Sequence, residues 1–240
     1  MKVVICVLML GITVSANAQK WDKKDKVMPY ITRSIGVSFQ KFDGLNGRVA
    51  NFPQFKQLRD ATGTLGLGWL KEQKRVISAG GILVGSSMSG DRDKKSSTVR
   101  YINLNADLGY DLLKSDRVML YPLAGIGLQA YQGIFYKDNS SVAFNDVLQS
   151  PTVQNNISSV RFNNSFVVYR LGFGVSVKSA KYPSNAIGLQ AGYTGSFKKH
   201  NWRSNENQVL AGAPQDKISQ FYVSLVLMNQ PMFGHHKDKK

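Results

Sequence analysis

The sequence predicts an all-β fold, an eight-stranded antiparallel up-and-down transmembrane β-barrel. Three observations carry this reading. Apolar and polar residues alternate with period 2 through most of the chain, and no stretch shows a helical period of useful length. The row opposing the large apolar residues is made repeatedly of glycine and polar side chains. The links between strands alternate long and short, as a barrel with tight turns at one end and loops at the other requires.

The stretch "FVVYRLGFGVSV", Phe166 to Val177, shows the second point. Val167, Tyr169, Leu171, Phe173, Val175 and Val177 form one face, opposed by Arg170, Gly172, Gly174 and Ser176. On a water-facing strand glycine weakens the sheet with no packing return. The choice makes sense if the apolar face meets lipid and the glycine-polar face lines a closed lumen. Closure pairs every backbone N–H and C=O, the condition for β-structure in hydrocarbon.

Eight strands are expected, at about 30–42, 61–70, 76–87, 99–112, 118–136, 164–177, 186–197 and 217–229. Several exceed the ~5–6 residues usual in water and reach the 9–11 needed to cross a bilayer at a tilt. The first sets Ile35, Val37 and Phe39 against Ser34, Gly36 and Ser38; the second sets Leu65, Leu67 and Trp69 against Thr64, Gly66 and Gly68. The third, "VISAGGILVGSS", has no clear phase. The fourth opposes Ile102, Leu104, Ala106, Leu108 and Tyr110 to Tyr101, Asn103, Asn105, Asp107 and Gly109. The fifth opposes Leu120, Pro122, Ala124, Ile126 and Leu128 to Tyr121, Gly125, Gly127 and Gln129. In the sixth, Arg170 is a lumen charge with Asp107 as its candidate partner. The seventh sets Ile187, Leu189, Ala191 and Tyr193 against Gly188, Gln190, Gly192 and Thr194, and the eighth Phe221, Val223, Leu225 and Leu227 against Gln220, Tyr222 and Ser224. Inward glycines beside inward Tyr101, Tyr121, Tyr131 and Tyr222 make room for rings to lie across the backbone. Trp69, Tyr110, Tyr121, Tyr169 and Tyr193 fit interfacial girdles.

The links 43–60, 88–98, 137–163 and 198–216 are long, and 71–75, 113–117 and 178–185 are short. Within 137–163 the stretch "AFNDVLQS" suits either another hairpin or a short helix. Residues 3–14 form an apolar run too short to span a bilayer as a helix, which needs roughly 20 residues. It follows Lys2 and leads to Ala16-Asn17-Ala18, a small-x-small cleavage site. Residues 1–18 are therefore expected to be a signal peptide, 19–29 a periplasmic segment, 30–229 the barrel and 230–240 a basic periplasmic tail. The single cysteine, Cys6, falls inside the signal peptide, so the processed chain would have no disulfide.

On these features the chain resembles small bacterial outer-membrane β-barrel proteins, the porin-family or outer-membrane-protein β-barrel-domain chains of Bacteroidota-type bacteria. The resemblance spans the processed chain. It rests on "ANAQ", on glycine-aromatic strands such as "LNADLGYDLL" and "RLGFGVSV", and on the order of the links. It implies residence in the outer membrane, contact with outer-membrane lipids and no catalytic signature. One feature departs from it: such barrels commonly finish on an aromatic residue of the last strand, whereas here "FYVSLVLMN" runs on into "QPMFGHHKDKK". The assembly signal is then internal or absent.

The net charge of +16 raises nucleic acid as a partner. However, the aromatics lie within strands while lysines gather at the ends and between strands, which is not the interleaving of a single-strand binder. The parts assigned to the periplasmic side carry +9 and the outer loops +3. Such a skew suits an anionic inner leaflet or an acidic periplasmic or envelope partner. For catalysis only His200, near Ser204 and Asp216, offers a nucleophile-base grouping, and a solvated loop histidine is the simpler account. His235 and His236 lack a second ligand pair for a metal. Asp91-Arg92-Asp93 lacks the glycine and distal glutamate of a calcium loop. Gly63 to Gly68 mimics a phosphate loop, but no helix follows it. No catalytic, metal or cofactor residue is assigned.

Eight strands enclose a space just wide enough for side chains, which moves function to loops, rim or partners. The expected function is a non-enzymatic outer-membrane barrel with a structural, adhesive or envelope-complex role. The alternatives are an outer-membrane enzyme or narrow channel on the same scaffold, and a secreted soluble barrel that binds a small apolar ligand.

Overall fold

The computed structural model describes residues 28–90, 94–182 and 184–230. The expected signal peptide, most of segment 19–29, the tail beyond Gln230 with His235 and His236, and Asp91-Arg92-Asp93 lie outside the described residues.

Eight strands close into one antiparallel barrel: β1 (Tyr30–Gln40), β2 (Ala61–Gln73), β3 (Val76–Gly90), β4 (Ser96–Tyr110), β5 (Val118–Tyr136), β6 (Val160–Lys178), β7 (Asn185–Ser196) and β10 (Ser219–Asn229). Two further short strands, β8 (His200–Asn201) and β9 (Gln215–Asp216), pair with each other in the last long loop. Every barrel strand hydrogen-bonds to its sequence neighbours, and β1 closes the ring against β10. Following the register from Thr62 through Ser38, Tyr222, Gly192, Gly172, Leu123, Gly109 and Ile77 returns to β2 at Glu72, ten residues further on. With eight strands, that stagger gives a tilt of about 40° and a radius of about 8 Å. The interior has room for side chains and little else.

The faces follow the sequence pattern. Leu65, Leu67, Leu108, Ile126 and Phe221 point outward and stay at least 59% exposed, while Tyr101, Asn103, Tyr121, Gln129 and Tyr222 point inward and are buried. The third strand takes the phase its sequence leaves open, with Val76, Ile82, Val84 and Met88 outward. Its inward Leu83 packs against an apolar cluster inside the barrel and Ile77 belongs to another. Both faces are therefore partly apolar, which erases the alternation.

Tyr101 lies across Gly85 and Tyr121 across Gly174, and a Cβ at either glycine would collide with the ring. Tyr121 is fully buried and bonds to Ser176 and Gln190, so it is a lumen residue and leaves the expected girdle. Trp69 and Tyr110 are exposed on the outer surface. Tyr169, Tyr193, Phe197 and Phe221 form a chain of aromatic contacts, with ring centroids 5.1–6.1 Å apart.

Among the described residues three helical turns decorate the long loops: α1 (Asp43–Val49), α2 (Phe144–Gln149) and α3 (Pro151–Ile157). In 137–163 the helical alternative therefore holds, with α3 started by Ser150, whose Oγ accepts the Val153 N–H at 3.4 Å, and by Pro151 in the first turn.

Candidate functional site: a plugged lumen beneath folded outer loops

The lumen is stratified. At the short-turn end Tyr30, Leu70, Ile77, Met119, Tyr121 and Met228 belong to a buried apolar cluster. At the long-loop end Phe42, Leu45, Tyr131, Phe135, Phe166 and Trp202 belong to a second. Between them lies a polar layer. Arg170 meets Asp107 at 3.1 Å, the pair suggested by the strand phases, and its guanidinium lies 5.2 Å from the Tyr222 ring centre. Asn105 donates to Asp107 at 2.6 Å. Gln129 receives from Asn103 at 3.2 Å and donates to Gln220 at 2.9 Å and to the Tyr131 hydroxyl. Beside Arg170, against the small side chains of β1 to β3, is a cavity of about 80 Å³. Ligand pockets run to roughly 300–1,000 Å³, so this space suits a few waters.

The outer cluster exists because two loops fold over the mouth. Asp216 of β9 is buried and serves both. Its carboxylate accepts the Gly44 N–H at 2.7 Å, the Leu45 N–H at 3.0 Å and the Trp202 Nε1–H at 2.6 Å. Gly44 and Leu45 are the second and third residues of α1, whose own N-cap, Phe42, offers no side-chain bond. A carboxylate from another loop thus satisfies two orphan N–H groups at the positive end of the turn. A Cβ at Gly44 would collide with the Gln215 carbonyl, so the approach requires glycine. Phe42 then meets Tyr131 and Trp202 edge to face at 5.1 and 5.8 Å. Asn46 ties the loop back on itself, donating to the Leu58 carbonyl at 3.0 Å and accepting its N–H at 2.8 Å.

The catalytic grouping weighed from sequence does not assemble. His200 and Asp216 face each other across β8 and β9, but the carboxylate is turned to Gly44, Leu45 and Trp202. The His200 ring rests 5.4 Å from Phe166, and Ser204 Oγ accepts the Gln208 N–H. Among the described residues no group of three or more metal-ligating side chains comes together. The loop seal escaped sequence reading, although Leu45, Val49, Phe52, Phe55 and Leu58 recur at three- and four-residue spacing within 43–60. That spacing is the signal that could have found it.

No family model matches the chain. No curated protein matches its sequence. Among solved structures the chain is similar to Ail, the attachment invasion locus protein of Yersinia pestis, in complex with the heparin analogue sucrose octasulfate. That likeness is 14% identical, covers 85% of this chain and 100% of that one, and has a TM-score of 0.49. It is also similar to Neisserial surface protein A, at 10% identity, 85% and 97% coverage and a TM-score of 0.46. The translocator domain of the autotransporter NalP from Neisseria meningitidis matches at 10% identity, 95% and 96% coverage and a TM-score of 0.30.

Proposed function

We propose that the protein is a non-enzymatic, non-conducting outer-membrane barrel that acts through its long-loop surface, in an adhesive or envelope-complex role. The observation that carries this is the lumen, closed by an apolar cluster at each end and filled by a polar network between them. A narrow channel would need a continuous polar path. A barrel binding an apolar ligand would need an open apolar interior larger than about 80 Å³. The outward apolar belt supports contact with outer-membrane lipid, which removes the solvation problem of so many exposed large side chains.

The loop surface supports the choice of role. The α2–α3 turn pair buries none of its residues, and Phe144 and Leu148, one turn apart, are 75% and 66% exposed. Such side chains on a loop tip favour a partner over simple solvation. The basic segments expected on the periplasmic side favour the anionic inner leaflet or an acidic periplasmic partner.

The test is deletion of residues 140–157 in cells carrying the full-length protein. Binding of those cells to surfaces, or co-purification of an envelope partner, should fall while the barrel still shifts on an unboiled gel. Unchanged adhesion together with unchanged co-purification would contradict the proposed role.

A further inference from the structure

On the outer face of the barrel, toward the loop end, three register-linked rows run across β4, β5 and β6. The lowest is Leu104, Leu128 and Val167. The next is Ile102, Ala130 and Ser165, and above it lie Arg100, Gln132 and Asn163. Along the same three strands the surface thus passes from wholly apolar to wholly polar over about 13 Å of strand.

A second arginine is fixed at the top of this ramp. Arg203, from the last long loop, is bridged to Asn163 by two backbone hydrogen bonds of 2.9 Å, so its position is set by the barrel wall. A groove of about 420 Å³ lies here, lined by Arg100 and Arg203, by the amides of Gln132 and Asn163, and by Ile102 and Ala130 on its lower side. Gln132 donates to Asn163 at 3.2 Å, and Arg203 donates to Asn207 at 3.4 Å. Among the described residues the ion pairs are Arg170–Asp107 and Lys178–Glu72, so neither groove arginine has a carboxylate partner. Glu206, close to Arg203 in sequence, makes no ion pair with it.

We propose that this groove binds the phosphorylated headgroup of an outer-leaflet lipid, with its acyl chain lying along Leu104, Leu128 and Val167. The inference rests on the membrane reading above and adds a specific lipid site to it. Two guanidiniums with no carboxylate partner among the described residues offer charge-assisted, bidentate recognition of a phosphate. The side-chain amides and Ser165 suit sugar or glycerol hydroxyls. The apolar lower wall is continuous with the belt, so phosphate and chain can be held together by one amphiphile. That continuity favours a lipid over a free anion.

The experiment uses the full-length barrel in detergent micelles and counts bound lipid by native mass spectrometry, with diphosphoryl lipid A and its dephosphorylated form as probes. The wild-type protein should retain the phosphorylated probe about tenfold more tightly, equivalent to about 1.4 kcal/mol. R100Q/R203Q should reduce that preference to within about twofold, while K137Q, on another loop, should leave it intact. If the double variant fails to fold, R100Q alone should weaken retention about threefold. A wild type without preference, variants that keep it, or displacement of the lipid by millimolar inorganic phosphate would each overturn the proposal. Loss of the unboiled gel shift in the wild type would instead strike at the membrane reading, so the two failures are distinguishable.

Discussion

On β1, Arg33 is the residue at which the outward row breaks its own rule. It occupies an outward, exposed position on β1, with Leu67 and Leu227 as its cross-strand neighbours. An arginine on the lipid face costs roughly 2–4 kcal/mol at the midplane and little near an interface. Arg33 sits one outward position above Ile31, toward the short-turn end; in the proposed membrane setting its stem would reach back to the headgroups. Arg33→Leu should therefore stabilise the barrel by about 1–2 kcal/mol in reversible urea unfolding from vesicles. The converse change, Leu171→Arg nearer mid-strand, should cost about 2–4 kcal/mol in the same assay. Equal effects at Leu171 and at an inward site of similar height would contradict the assignment of faces. Lys74 and Arg75 make the two-residue turn between β2 and β3 with φ of 52° and 69°. Both angles suit glycine or asparagine, but Arg75 also donates to the Asp111 carbonyl at 3.0 Å and stacks 4.7 Å from the Tyr110 ring centre. Lys74 has no such task. Lys74→Gly should gain roughly 1 kcal/mol, and a loss there would mean the turn has another geometry.

Among the elements, strands were more legible than loops, for a physical reason. A barrel strand with an apolar outer face and a side-chain-filled lumen face must alternate along its span, so the body of each strand shows in the sequence. The expected 61–70, 76–87 and 118–136 lie within or coincide with β2, β3 and β5. Differences gather at the rim: β6 begins at Val160, four residues before the expected start, and Phe42 leaves the line of β1 to enter the outer cluster. The Arg170–Asp107 pair was readable because register and phase bring both side chains inward. The Asp216 clasp of the loop seal was not, because Asp216, Gly44 and Trp202 meet only through tertiary folding, and the apolar spacing of 43–58 marks a packed loop without naming what it packs against. It is also the element most open to test. Asp216→Ala removes the acceptor for two backbone N–H groups and the indole, leaving buried donors unsatisfied at roughly 1–3 kcal/mol. Hydrogen exchange should accelerate in 43–58 and 198–216 while the β2–β5 strands stay protected. Unchanged exchange in both loops would remove Asp216 from the role of clasp.

At the scale of the whole molecule, a ten-residue stagger in an eight-stranded ring leaves no room for a pore. The wild-type barrel in a planar bilayer should show no discrete conductance, and neither should Asp216→Ala, because the cluster at the short-turn end stays shut. Regular unitary steps in the wild type would mean the interior is not filled as described. The charge skew belongs to this scale too: neutralising Lys23, Lys24, Lys26, Lys237, Lys239 and Lys240 should weaken binding to anionic vesicles, more so at low salt. The proposed membrane setting requires that the apolar face of the closed barrel meets lipid. Its most direct test is a nitroxide scan along β10, from Gln220 to Met228, in lipid vesicles, reading collision with oxygen and with a water-soluble nickel complex. Oxygen collision should peak at 221, 223, 225 and 227 and fall at 220, 222, 224 and 226, with the nickel complex excluded from both sets. High nickel collision at the odd positions would place that face in water and contradict the membrane setting.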